Sequence, residues 1–171
     1  MKKQILIYFI LLLSVSSLQA RGTYQEPASF LNETFKGELP QAKVIWLTGE
    51  IRKTVIKILQ HEPSQLRVRY WQKKQRSAWI LEEIGKDKLI TAGFVINNNK
   101  IEKVKVLIFR ESRGEEIRHN FFTRQFKQAT IQTDTQLDRN IDGISGATMS
   151  VRALTKLSRL ALFLSSQIEQ P

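Results

Sequence analysis

Between Leu66 and Phe109 the chain alternates apolar and polar side chains with a period of two. That period is what a half-buried β-strand demands, because successive side chains leave the backbone on opposite sides. "LRVRYW" sets Leu66, Val68 and Tyr70 against Arg67, Arg69 and Trp71, and the polar "KKQR" at 73–76 turns the chain into "SAWILEEI". "LITAGFVI" then meets "KIEKVKVLIF" through Asn97-Asn98-Asn99, and asparagine tolerates the positive φ of a tight hairpin. Four consecutive strands joined by short turns predict an antiparallel sheet of about four strands. In the last of them Val104, Val106 and Ile108 alternate with Lys103 and Lys105, so one face is buried and the other at least partly wet.

Helices must cover the buried face. Phe30, Leu31, Thr34 and Phe35 recur at helical spacing between Glu26 and Phe35, before Gly37 and Pro40. After a short strand, "AKVIWL", the stretch "GEIRKTVIKIL" puts Ile51, Val55, Ile58 and Leu59 on one side of a second helix. The longest helical pattern is the last: Val151, Leu154, Leu157, Ala161 and Leu164, with Arg152, Lys156 and Arg159 on or near the opposite side. Between sheet and final helix come a short piece carrying Phe121, Phe122 and Phe126 and a polar loop, "TIQTDTQLDRN". No repeat or linker-like tract divides the 171 residues. The expected fold is one α+β domain, with helices packed on one face of the sheet and a long C-terminal helix.

The first twenty residues read as a secretory signal peptide. Lys2 and Lys3 precede an apolar run from Ile5 to Leu18, followed by Gln19-Ala20-Arg21-Gly22. The run is shorter than the roughly 18 to 20 residues a bilayer span needs, so export and cleavage are expected, after Ser17, Ala20 or Gly22. The chain has no cysteine and hence no disulfide framework. Its formal net charge is +11. An exported basic chain meets anionic headgroups, acidic proteins or anionic ligands rather than nucleic acid.

Chemistry concentrates in "IDGISGATMS", residues 141–150, just ahead of the last helix. Asp142-Gly143 signals a turn, Gly146 permits backbone that other residues resist, and Ser145 and Thr148 are both good N-cap residues. A helix start offers unpaired N–H groups and the positive end of the helix dipole, so a phosphate placed there is stabilised without any basic side chain. Thr148 would add a hydroxyl to that field. The spacing is equally compatible with nothing more than a capped turn.

Asp142-Gly143-Ile144-Ser145-Gly146-Ala147-Thr148 resembles the D-x-x-[ST]-G-A-T motif of the FMN-binding domain family, which includes peripheral flavin-carrying subunits of the Rnf complex and of the sodium-pumping NADH:quinone reductase. "GFVINNNKIEKVKVLIFRESRG" is similar to that family's hairpin and its acidic E-[ST]-x-G loop, and "FTRQF" to its aromatic helix. The likeness runs from about Ile90 to Leu164. It divides the chain into the signal at 1–20, N-terminal helices and first strands at 21–88, and an FMN-binding core at 89–167.

The resemblance implies FMN joined through its phosphate to Thr148, with Ser145, Gly146, Ala147 and Asp142 around it. It also implies that Glu111, Ser112 and Gly114 line the isoalloxazine. Asp142 would cap the turn or be read by the modifying enzyme, and Arg110 and Arg113 would lie near the flavin. The family loop often reads E-T-P-G, whereas this one is Glu111-Ser112-Arg113-Gly114. A flavin transferase using FAD and Mg2+ would make the bond, and a membrane-bound redox partner would exchange electrons with the product. The expected protein is an exported electron carrier, periplasmic or on the outer face of the cytoplasmic membrane, rather than an enzyme with its own substrate. The alternative is an accessory module that holds FMN or another phosphate ligand reversibly.

The other candidates have plainer readings. Trp71 and Trp79 stand at strand positions where large aromatics fill cores, and His61 and His119 lack a second ligand at metal spacing.

Overall fold

The computed structural model describes residues 22–168; the signal-peptide reading of 1–20 lies outside them. Five strands, β1 (Lys43–Trp46), β2 (Arg67–Lys73), β3 (Arg76–Ile84), β4 (Leu89–Asn97) and β5 (Lys100–Phe109), form one antiparallel sheet in the order of the sequence. The helices are α1 (Pro27–Thr34), α2 (Gly49–Leu59), the four-residue α3 (Asn120–Thr123) between two 3-10 turns, and α4 (Thr148–Ser166). The α+β class holds, and the sheet has one strand more than expected. "AKVIWL" supplies it: β1 pairs with β2 from Lys43↔Tyr70 to Trp46↔Arg67 and becomes the edge.

The main core lies between the sheet and α2 and α4. Trp79, Leu81, Ile90, Phe94 and Ile96 of β3 and β4 meet Val55 and Ile58 of α2 and Leu154, Leu157 and Leu164 of α4. Trp79 is fully buried, stacks on Tyr70 with centroids 5.0 Å apart, and donates its indole N–H to Ser77 Oγ at 2.9 Å. A buried indole with its donor satisfied is a structural residue.

Helices do not keep to one face. α1 lies on the other side, where Phe30, Leu31 and Phe35 form a second cluster with Ala78, Val95 and Leu107. The contact depends on Gly93: a Cβ there would lie 2.6 Å from Phe30 Cε1, so only a residue without a side chain lets the ring rest on the sheet. Lys103, on this second face, is drawn in by Glu33 of α1 at 2.6 Å.

The alternation in β5 is also interrupted. Thr91 faces Ile108 but Ala92 faces Val106, leaving Leu107 as the extra residue of a β-bulge. Val104 and Val106 point to the main core as expected, while Ile108 packs against the second cluster. One inserted residue reverses the sidedness of everything beyond it.

Candidate functional site

α4 starts without a capping side chain. Gly146 takes φ +80°, and the chain enters the helix through Ala147 as N-cap and Thr148 as first helical residue. Ser145 and Thr148 were the natural caps by residue type, yet neither holds that position: Ser145 belongs to the preceding turn, and Thr148 is already helical. The first helical hydrogen bond runs from Val151 N–H to Ala147 C=O at 2.9 Å. The N–H groups of Thr148, Met149 and Ser150 therefore precede the ladder and face outward at the positive end of a 19-residue helix. Thr148 is exposed, while Ala147 and Ser150 on either side are buried. A hydroxyl presented to solvent beside unpaired N–H groups fits a phosphate, and nothing stands within 4 Å of where a Cβ on Gly146 or Gly143 would be.

The Glu111–Gly114 loop and the start of α4 come together. Gly114 takes φ +90°, and a Cβ on it would lie 2.6 Å from Ser150 Oγ and 3.4 Å from Ala147 Cβ. Ser150 escaped the reading of the motif, because a serine in the first turn of a helix carries no mark of the glycine packed against it. Gly22 and Tyr24 steady the other side of the loop. Phe109 donates its N–H to Gly22 C=O at 2.8 Å, and Tyr24 donates its hydroxyl to Glu115 at 2.8 Å.

Glu111 is fastened within the protein. Its Oε1 accepts three consecutive backbone N–H groups, from Lys86 at 2.5 Å, Asp87 at 2.7 Å and Lys88 at 2.9 Å. Burial alone would raise this carboxyl, but the three donors outweigh it and hold Glu111 below the usual carboxylate range. The turn between β3 and β4 thus closes around it, so tightly that a Cβ on Gly85 would lie 2.7 Å from Oε1. Ser112 and Arg113 are exposed.

Asp142 and Arg110 take partners outside the motif. Asp142 is held by its backbone, whose N–H donates to Gln125 Oε1 at 2.8 Å; its exposed carboxylate caps no N–H of the turn among the described residues. Arg110 donates to Thr91 Oγ1 at 2.9 Å and Leu89 C=O at 3.3 Å, with Glu82 at 3.7 Å. It therefore serves the end of the β3–β4 hairpin. His61 Nε2 lies 3.0 Å from both carboxylate oxygens of buried Glu83, and His119 stacks on Phe121 at 6.2 Å. Among the described residues no cluster of three His, Cys, Asp or Glu forms a metal site, and no helix is long and apolar enough to cross a membrane.

No curated protein and no solved structure matches the chain. Residues 85–162 match the family model of the FMN-binding domain, a stretch that runs from the turn closed by Glu111 through the Gly114 loop and Thr148 into α4. That segment belongs to the FMN-binding domain family, and the chain carries a flavin-binding domain.

Proposed function

We propose that the protein is an exported flavoprotein that carries FMN in a phosphoester on Thr148 and serves a membrane-associated redox system as an electron carrier. The observation that supports this is the start of α4: an exposed Thr hydroxyl beside uncommitted N–H groups, with alanine at the cap. In FMN-free protein the missing cap leaves orphan donors that a phosphate satisfies. Gly146, by taking φ +80°, turns the chain into the helix so that Thr148, Met149 and Ser150 present those donors. Ser145 and Asp142 stand on the exposed approach, and Ser112 and Gly114 form the loop beside it.

Attachment requires the Thr148 Oγ to attack the phosphorus on the flavin side of FAD. The bond from that phosphorus to the bridging oxygen breaks, AMP leaves with the electron pair, and the hydroxyl proton passes to the base of the modifying enzyme. That enzyme is a FAD-dependent flavin transferase. FMN held there supplies one- and two-electron redox chemistry, and the basic chain favours acidic docking partners or an anionic membrane. The location is the periplasm or the outer face of the cytoplasmic membrane.

The same uncapped helix start supports a second reading, in which FMN is bound reversibly through its phosphate. Intact mass and visible absorbance after denaturation separate the two, using protein exported together with an active flavin transferase. A mass gain of one FMN less water, absent in Thr148→Ala, is the expected result. Unmodified protein from cells that flavinylate a control substrate would overturn the covalent reading, and flavin released on denaturation would favour the reversible one.

A further inference from the structure

β2 and β3 are joined over only part of their length. Their pairing runs from Lys73↔Arg76 to Tyr70↔Trp79 and stops. β1 nevertheless stays paired with β2 out to Arg67, and β4 with β3 out to Ile84. The two strands part beyond Tyr70 and Trp79, and a cavity of about 530 Å³ fills the opening. Leu47, Val55, Leu59 and Leu160 line it from the main core, and Trp71 and Ile80 from the second cluster. It is a slot through the plane of the sheet, of the size small-molecule sites have.

The charges around the slot are unequally balanced. At its deep end Glu83 is neutralised by His61 at 3.0 Å and Lys156 at 3.7 Å. On the β3 wall Glu82 accepts from Thr91 at 2.5 Å and lies 3.7 Å from Arg110. On the β2 wall Arg67 and Arg69 are exposed and have no carboxylate at ion-pair distance among the described residues; Arg67 rests over Trp46 at 5.6 Å. The unanswered charge is positive and sits at the rim of an apolar space.

We propose that this slot binds a single-chain anionic amphiphile, a fatty carboxylate. Its alkyl chain lies along Leu47, Val55, Leu59 and Leu160, and its carboxylate meets Arg67 and Arg69, whose guanidinium groups suit a carboxylate's two oxygens. The site is separate from Thr148: Leu160 is about 18 Å further along α4 at 1.5 Å per residue. Binding therefore requires no flavin.

The test uses cis-parinaric acid, whose fluorescence rises in apolar surroundings, titrated into the exported chain with and without flavin and into Thr148→Ala. Saturable binding of one probe per chain is expected in all three, displaced at least tenfold better by dodecanoate than by dodecanol. Val68→Trp, which fills the slot, and the doubly reversed rim Arg67→Glu with Arg69→Glu should each weaken binding at least tenfold. The rim residues are exposed, so the second variant is informative even if the first does not fold. Absence of saturable binding, equal binding by the rim variant, or loss of binding when FMN is loaded would overturn the assignment. Because Thr148→Ala must bind as well as the parent, failure here is distinguishable from failure of the flavin reading.

Discussion

Gly114 and Ser150 lie against each other, the glycine at φ +90° and a Cβ on it only 2.6 Å from the serine Oγ. Through this contact the loop after β5 rests on the first turn of α4 and orients the residue two positions before Ser150, which is Thr148. The geometry admits no side chain at 114, for reasons of both backbone and space.

Gly114→Ala should therefore cost about 1–3 kcal/mol, the scale of a residue forced into a sparsely populated conformation. Urea unfolding measures the loss. Flavin content should fall with it, while Gly143→Ala, with open space around its Cβ position, should be mild in both respects.

Glu111 predicts an acid-side dependence. Its carboxyl is held below the ordinary value of 4.5 in the folded chain. The stabilisation is fully present above the unfolded value and is lost as pH falls through the folded one. Unfolding free energy measured from pH 6 down to pH 3 should fall less steeply in Glu111→Gln than in the parent. An identical slope would mean that the three N–H bonds carry no net stability.

His61 predicts the opposite sign. Its Nδ1 faces Glu62 C=O at 2.8 Å and its Nε2 faces Glu83 at 3.0 Å, so both nitrogens meet acceptors, an arrangement that favours the protonated ring. The bond to the Glu62 carbonyl comes first in raising its pKa above 6.5, with burial opposing and Glu83 adding, against nearby Lys156. Arg52 faces the same corner through Glu62 at 2.7 Å. Stability from His61 is complete below pH 6.5 and is lost as pH rises through the raised value. His61→Ala should flatten the stability profile between pH 6 and 9.

On the second face, Phe30→Ala should cost about 3–5 kcal/mol, the usual range for a fully buried phenylalanine, since Phe30 has no exposed surface. Thermal unfolding is the readout. Gly93→Ala should also destabilise, by pushing the same ring off the sheet.

Much of the fold was legible because it is local. Alternation marked β2 to β5, and Asn98 and Asn99 do take the positive φ, 51° and 58°, that the hairpin needs. The second face was hidden because its key is an absence: Gly93 offers no side chain to read, and its partner Phe30 lies far back in the chain. The bulge at Leu107 was hidden because one extra residue leaves the apolar pattern almost intact while reversing its sidedness. At the site, residue type favoured Ser145 or Thr148 as the cap, whereas the turn at Gly146 delivers Ala147 to that position. The resemblance pointed to Glu111 as a residue beside the flavin, but a carboxylate in a loop carries no mark of the three amides that its Oε1 accepts.

The strand order adds a consequence of its own. Each of the five strands pairs as a strand only with its neighbours in the sequence, so the sheet can be laid down as the chain emerges, and Gly22 and Tyr24 bond to β5 once it is in place. α4 comes last and reaches back to β3, β4 and α2. A chain stopped before residue 150 would possess every strand and still lack the setting of its threonine. The site is in that sense a record of completion, since Thr148 acquires its surroundings only when the last helix has closed over the first-made parts of the domain.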